Sequence, residues 1–143
     1  MARIERSRVI DRSQAELWRL VADPRTLPEW WPGVERVQGV GRHRFTMVMR
    51  SSRGVVVRAD YARVETREPD GLRWEQQLDG TPFEAVFRDR AIVIALEQQG
   101  PGGTLVTLSV EQRLQGAARF SPQLNRRGVG RQLSEALDRL AAG

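Results

Sequence analysis

The residues that could do chemistry inside this chain are few. Tyr61 falls in phase with Val57 and Ala59 along an alternating segment, so its ring points to the apolar side and its hydroxyl needs a partner. Gln76 falls in phase with Trp74 and Leu78. A buried amide left unmatched costs on the order of 1–3 kcal/mol, so Gln76 must meet a ligand, a water or another side chain. Arg63 shares the phase of Tyr61 but sits near the end of its segment, where solvent is the expected surrounding. Asp89 and Arg90 are further polar groups able to orient a ligand, although alternation does not fix which face points inward beyond Asp89. Tyr61 and Arg63 are the candidate catalytic residues. The other familiar chemistries fall away. The chain has no cysteine and one histidine, so thiol catalysis, a thiolate or multi-histidine metal site and a disulfide framework are excluded, and no metal or cofactor is expected. His43, beside the turn at 39–41, belongs on an exposed hairpin rather than in a triad. No glycine pattern opens a helix after a strand to hold phosphates.

These side chains ride on a run of short elements. Residues 3–10 read as a first strand, and Ser13 with Glu16 forms a capping box that opens a helix over 14–22. Asp23-Pro24 ends that helix and can cap a second short one. Strands follow over 34–40, 43–51, 55–68 and 72–78, separated by turns at 39–41, 52–54, 69–71 and 79–82. Phe83, Ala85 and Phe87 begin a further strand, whose apolar phase shifts to Ile92, Ile94 and Leu96; a bulge near Asp89 accounts for the shift. After a turn at 100–103 comes a last strand over 104–114. Ser121-Pro122 supplies an N-cap and a first-turn proline for a closing helix striped by Leu124, Val129, Leu133, Ala136, Leu137 and Leu140. Strands joined by such short turns are antiparallel, and one sheet with one apolar face needs a cover. The closing helix is the one element long enough.

The 143 residues read as a single domain over 1–143. Net charge is +5, and all 23 basic residues are arginine. They are dispersed among acids with no binding-tail run, so nucleic acid is not an expected partner. No apolar run suits a membrane span and no export signal is visible, which makes stable membrane insertion unexpected and the cytoplasm the default. A homodimer through sheet edges or the tryptophan segment is compatible with the sequence.

The segment DPRTLPEWWPGV, residues 23–34, holds three of the seven prolines and two of the four tryptophans. Trp30 and Trp31 are adjacent and diverge by about 100° if helical, so one should face the sheet and the other lie along the rim. The pair reads as an end-plug for the core, and equally as the wall of a ligand cavity. Candidates for such a wall are Trp31, Phe45, Met47, Met49, Tyr61, Trp74, Gln76, Phe83 and Phe87 from the strands and Val129 and Leu133 from the helix. Methionine and aromatics line adaptable apolar pockets, and taken singly each is also an ordinary core residue. Gly128 and Gly130 inside the closing helix cost about 1 kcal/mol each relative to alanine. They leave space over the sheet for a ligand, or they mark a kink or a later helix start.

The order helix, Asp-Pro, Leu, Trp-Pro near the N-terminus, with the turn at 100–104 leading into the last strand and helix, resembles the START/polyketide-cyclase (SRPBCC) superfamily with the birch-allergen helix-grip fold. The resemblance spans Ile4 to Leu140 and rests on the order of the motifs. It implies an α+β fold: a seven-stranded antiparallel sheet curled around a long C-terminal helix, two short helices after the first strand, and a mostly apolar cavity between. It implies binding, and transport in some members, of a hydrophobic or aromatic small molecule such as a lipid or polyketide. Two alternatives come with it: a cyclase or dehydrase folding a poly-carbonyl substrate, with Tyr61 or Arg63 assisting enolisation, and a protein-interaction module.

Overall fold

Tight turns between short strands force neighbours in sequence to become neighbours in the sheet, and that is what the computed structural model shows. It describes residues 2–51 and 53–143; Ser52, in the expected 52–54 turn, lies outside them. Among the described residues the strands are β1 (Ala2–Ile10), β2 (Val34–Gln38), β3 (Arg44–Arg50), β4 (Val56–Arg67), β5 (Gly71–Gln77), β6 (Phe87–Gln99) and β7 (Gly103–Leu114). The helices are α1 (Gln14–Val21), α2 (Leu27–Trp30) and α3 (Pro122–Ala142). All strand pairs are antiparallel, in the order β1-β7-β6-β5-β4-β3-β2. This is the helix-grip architecture.

Local signals account for most boundaries. The Ser13 hydroxyl accepts from the amide of Glu16 at 3.1 Å, but Glu16 does not reach back. Its carboxylate takes the Arg12 guanidinium instead, at 2.8 and 3.0 Å. Asp23 caps a 3-10 turn over Pro24–Thr26, accepting from the amide of Arg25. A register shift between Phe87 and Asp89 is the expected bulge; it turns Asp89 outward toward Arg113 and leaves Arg90, Ile92, Ile94 and Leu96 on one phase.

Four expectations are corrected. Phe83–Ala85 does not start a strand: Pro82–Ala85 is a 3-10 turn, because the proline after Gly80, whose φ is +76°, favours a tight turn over an extended start. Ser121 makes no side-chain cap, and Leu124 is 71% exposed, opposite the buried stripe of α3. Both Trp30 and Trp31 are buried, with rings edge-to-face 5.5 Å apart; the Trp30 indole donates to the Thr26 hydroxyl at 3.2 Å, so neither needs the rim. α3 runs unbroken through Gly128 and Gly130.

The second glycine has a specific tenant. A Cβ at Gly130 would lie 2.4 Å from Nη2 of Arg6, so the helix passes close over that guanidinium. Arg6 and Arg8 occupy inward positions of edge strand β1, between buried Ile4 and Ile10. Arg8 pairs with Asp138 at 2.5 Å, and Arg12 donates to the carbonyl of Leu140 at 3.0 Å. Arginines therefore fasten the flank of α3 to β1, while Val129, Leu133, Ala136, Leu137 and Leu140 supply its apolar side. Gln132 of α3 donates to the carbonyl of Pro32, holding the tryptophan segment against the helix.

Gly128 meets no atom within 4 Å of an added Cβ. Gly128→Ala is expected to stabilise the protein by about 1 kcal/mol, roughly 4 °C in Tm, through helix propensity alone. Gly130→Ala is expected to gain less, because Arg6 must move. Thermal denaturation of the two variants checks the order.

Candidate functional site

Alternation puts one row of polar residues across the inward face. Arg90 of β6 pairs with Gln112 of β7, and Tyr61 of β4 with Gln76 of β5. The β5–β6 register, which ends at Glu75 opposite Ala91, brings Gln76 beside Arg90. The row is chained by hydrogen bonds. Arg90 donates through Nη1 to the Tyr61 hydroxyl at 3.0 Å, and that hydroxyl donates to Oε1 of Gln76 at 3.4 Å. Gln112 donates through Nε2 to the side-chain carbonyl of Asn125 in the second turn of α3, so the row reaches the helix.

The row is not fully satisfied. Nε of Arg90, Nε2 of Gln76, Oε1 of Gln112 and the indole nitrogen of Trp74 are buried without a partner. Trp74 and Gln76 are two residues apart on β5 and share the face. Polar groups at such depth are nearly always bonded, which makes this concentration on neighbouring strands informative.

Around the row the lining is apolar. Phe45 stacks on Tyr61 with ring centroids 5.5 Å apart and meets Trp74 edge-on at 5.0 Å. Of the predicted lining residues, Trp31, Phe45, Met47, Tyr61, Trp74 and Leu133 are packed into the core, Gln76 and Val129 are buried at its border, and Met49, Phe83 and Phe87 are half-buried. The less tightly enclosed members thus include Phe83 and Phe87, close to where β5 gives way to β6. There the strands part beyond Glu75 and Ala91, and a cleft of about 660 Å³ opens, where Gln76, Leu78 and Arg90 meet charged residues of the outer face: Arg73, Arg88 and Arg113 with the acids Glu75, Asp79, Asp89 and Glu111.

Arg63 is not solvated as its position near the strand end suggests. Regular alternation from Tyr61 keeps it inward, opposite Trp74, and the bulge in β4 comes only after it, between Arg63 and Glu65. Nη1 donates to the carbonyl of Gly41 at 2.9 Å and Nη2 to that of Ala22 at 3.3 Å. Its head group ties α1 to the β2–β3 turn, whereas Arg90 is the arginine that touches Tyr61. Gln112 and Asn125 were missed in the sequence. Gln112 could have been found, because it shares the phase of Val106, Leu108 and Val110.

A family profile described as "Polyketide cyclase / dehydrase and lipid transport" matches residues 1–143. The chain belongs to this family. Solved structures similar to it include the di-domain ARO/CYC BexL from the BE-7585A biosynthetic pathway, at 20% identity and TM-score 0.78; the match covers 99% of this chain and 46% of BexL, about half its length. A START superfamily protein from Mycobacterium smegmatis aligns at 16% identity and TM-score 0.71, covering 98% of this chain and 92% of that one. A conserved protein from Geobacillus kaustophilus aligns at 15% and 0.78, covering 99% and 93%. At these identities the likeness is one of fold. No curated protein matches the sequence.

In this polyketide cyclase/dehydrase and lipid transport domain, burial pushes the Tyr61 hydroxyl above its ordinary pKa of 10.0, and the Arg90 guanidinium pulls it partly back. Tyr61 is therefore a neutral hydrogen-bond donor at physiological pH. A raised folded-state value means that its contribution to stability is intact below pH 10 and is lost as pH climbs through the folded value. The chain has one tyrosine, so tyrosinate absorbance reads this residue alone. The midpoint is expected above 10.0 and is expected to rise further in Arg90→Met, where the cation is gone. A midpoint at or below 10.0 contradicts the buried row.

Proposed function

We propose that this domain binds a hydrophobic or aromatic small molecule, such as a lipid or polyketide, in the hollow between the inward face of the sheet and α3. The ligand's body lies on the apolar lining near Leu78, Phe83, Phe87 and Val129, and its polar end meets the Gln112–Arg90–Gln76–Tyr61 row. The observation that carries this reading is the set of buried, unpartnered polar atoms in an otherwise apolar interior. Each leaves about 1–3 kcal/mol of desolvation uncompensated, and a ligand with matching groups recovers it. The family to which the chain belongs, described by cyclisation, dehydration and lipid transport, supports the same reading.

A second reading, catalysis on a poly-carbonyl substrate, is favoured by one contact. The Tyr61 hydroxyl accepts from Arg90 and keeps its own proton, an arrangement that can donate to a developing enolate. In this reading Tyr61 is the acid and Arg90 stabilises the charge. Tyr61→Phe is then expected to abolish turnover without unfolding the protein; retained turnover removes Tyr61 from the reaction.

Native mass spectrometry of freshly purified protein is expected to show a population with a discrete added mass that denaturation releases. The neutral fluorophore N-phenyl-1-naphthylamine is expected to bind and to lose affinity at least tenfold in Val129→Trp, with the circular dichroism unchanged. A bare chain mass together with no fluorophore binding overturns the reading.

A further inference from the structure

We propose that the ligand's polar end is a carboxylate, held by the side edge of Arg90 and the amide of Gln76. This rests on the small-molecule reading above and adds the ligand's charge.

The argument starts from an imbalance. Arg90 places a guanidinium among apolar side chains, against the face of Phe87 at 5.3 Å and the hydroxyl of Tyr61, a residue only 1% exposed. Among the described residues no acid pairs with it. Its sequence neighbour Asp89 points outward to Arg113 at 3.5 Å, and Glu111 takes Arg3 and Arg73 on the outer face. Arg63, the other inward arginine nearby, also lacks an acid and has a buried, unpartnered Nε, but both of its terminal nitrogens are taken by carbonyls, so it presents no open fork. Arg90 is thus a half-buried cation with no ion-pair partner, and drawing a charge partly out of water without compensation is costly.

Geometry selects the anion. Nη1 is engaged by Tyr61, and Nε is buried without a partner, which leaves the Nε–Nη2 edge. That edge offers two parallel N–H groups, the fork that fits a carboxylate bidentately. Gln76 adds a third donor: the Tyr61 hydroxyl occupies its Oε1 and leaves Nε2 free. Tyr61 therefore acts as a positioning residue. It holds the guanidinium by one nitrogen and turns the amide of Gln76 so that both present donors. An alcohol or ester offers no charge to this arrangement, and a lone phenolate oxygen does not match the fork.

The probe is cis-parinaric acid, a fluorescent long-chain carboxylate, compared with its methyl ester. The acid is expected to bind at least tenfold more tightly than the ester at neutral pH. Arg90→Met is expected to remove that advantage, bringing acid and ester to the same affinity; Arg90→Lys, which keeps the charge and loses the fork, is expected to restore only part of it. Should the Arg90 variants fail to fold, the pH dependence of the unmodified protein decides: acid affinity is expected to fall toward that of the ester as the probe becomes protonated, while ester affinity stays level. Equal binding of acid and ester, or an acid advantage that survives Arg90→Met, overturns the carboxylate and leaves the hollow intact. No binding of acid, ester or neutral fluorophore overturns the hollow itself and the carboxylate with it.

Discussion

A single helix is too narrow for the sheet it has to cover. Seven strands spaced ~4.8 Å apart span about 29 Å, whereas a helix with its side chains is about 10 Å wide. Everything distinctive in this fold answers that mismatch. The sheet curls, α3 lies against β1 and β7, and the tryptophan segment with α2 fills one end. The middle strands, which the helix backbone does not reach closely, carry the bulky inward residues Phe45, Tyr61 and Trp74. Aromatic side chains bury on the order of 150–250 Å² each, and these three bridge a gap that aliphatic residues would leave open.

The strands were legible because alternation with a period of two and glycine-rich turns leave little choice of register direction. The inward phase of Phe45, Met47, Tyr61, Trp74 and Gln76 followed directly from it. The bulge near Asp89 was legible too, since an apolar phase cannot change sides without an extra residue. Three features resisted. Phe83 and Ala85 alternate like strand residues but follow a proline that prefers a 3-10 turn. Leu124 is apolar like the core residues of the helix but falls on the face opposite Val129, Leu133 and Leu140, so it is left in solvent. In β1, the arginines at 6 and 8 hide the inward face, because the surface that covers an edge strand is the polar flank of α3 rather than its apolar stripe.

The site was half readable. Tyr61 and Gln76 could be placed by phase, and each could be seen to need a partner. Their mutual contact, and the role of Arg90 instead of Arg63, depended on the bulge in β6 that sets the phase of Arg90 and on the backbone carbonyls that take up Arg63. Charge and composition cannot show this. With 23 arginines in the chain, what singles out Arg90 is its contact with the Tyr61 hydroxyl across the inward row, a property of packing in three dimensions.

The parting of β5 and β6 has mechanical weight of its own. Only five residue pairs, from Gly71 with Ala95 to Glu75 with Ala91, hold these strands together, against twelve between β6 and β7. The short seam divides the sheet into two leaves, one of β1, β7 and β6, the other of β5 to β2, each with its own continuous ladder. Side chains cross that seam where the ladder does not: Arg90 donates to the Tyr61 hydroxyl, and the Gln14 amide of α1 donates to the carbonyls of both Pro69 and Leu96, so the two leaves are joined by tethers as well as by strands.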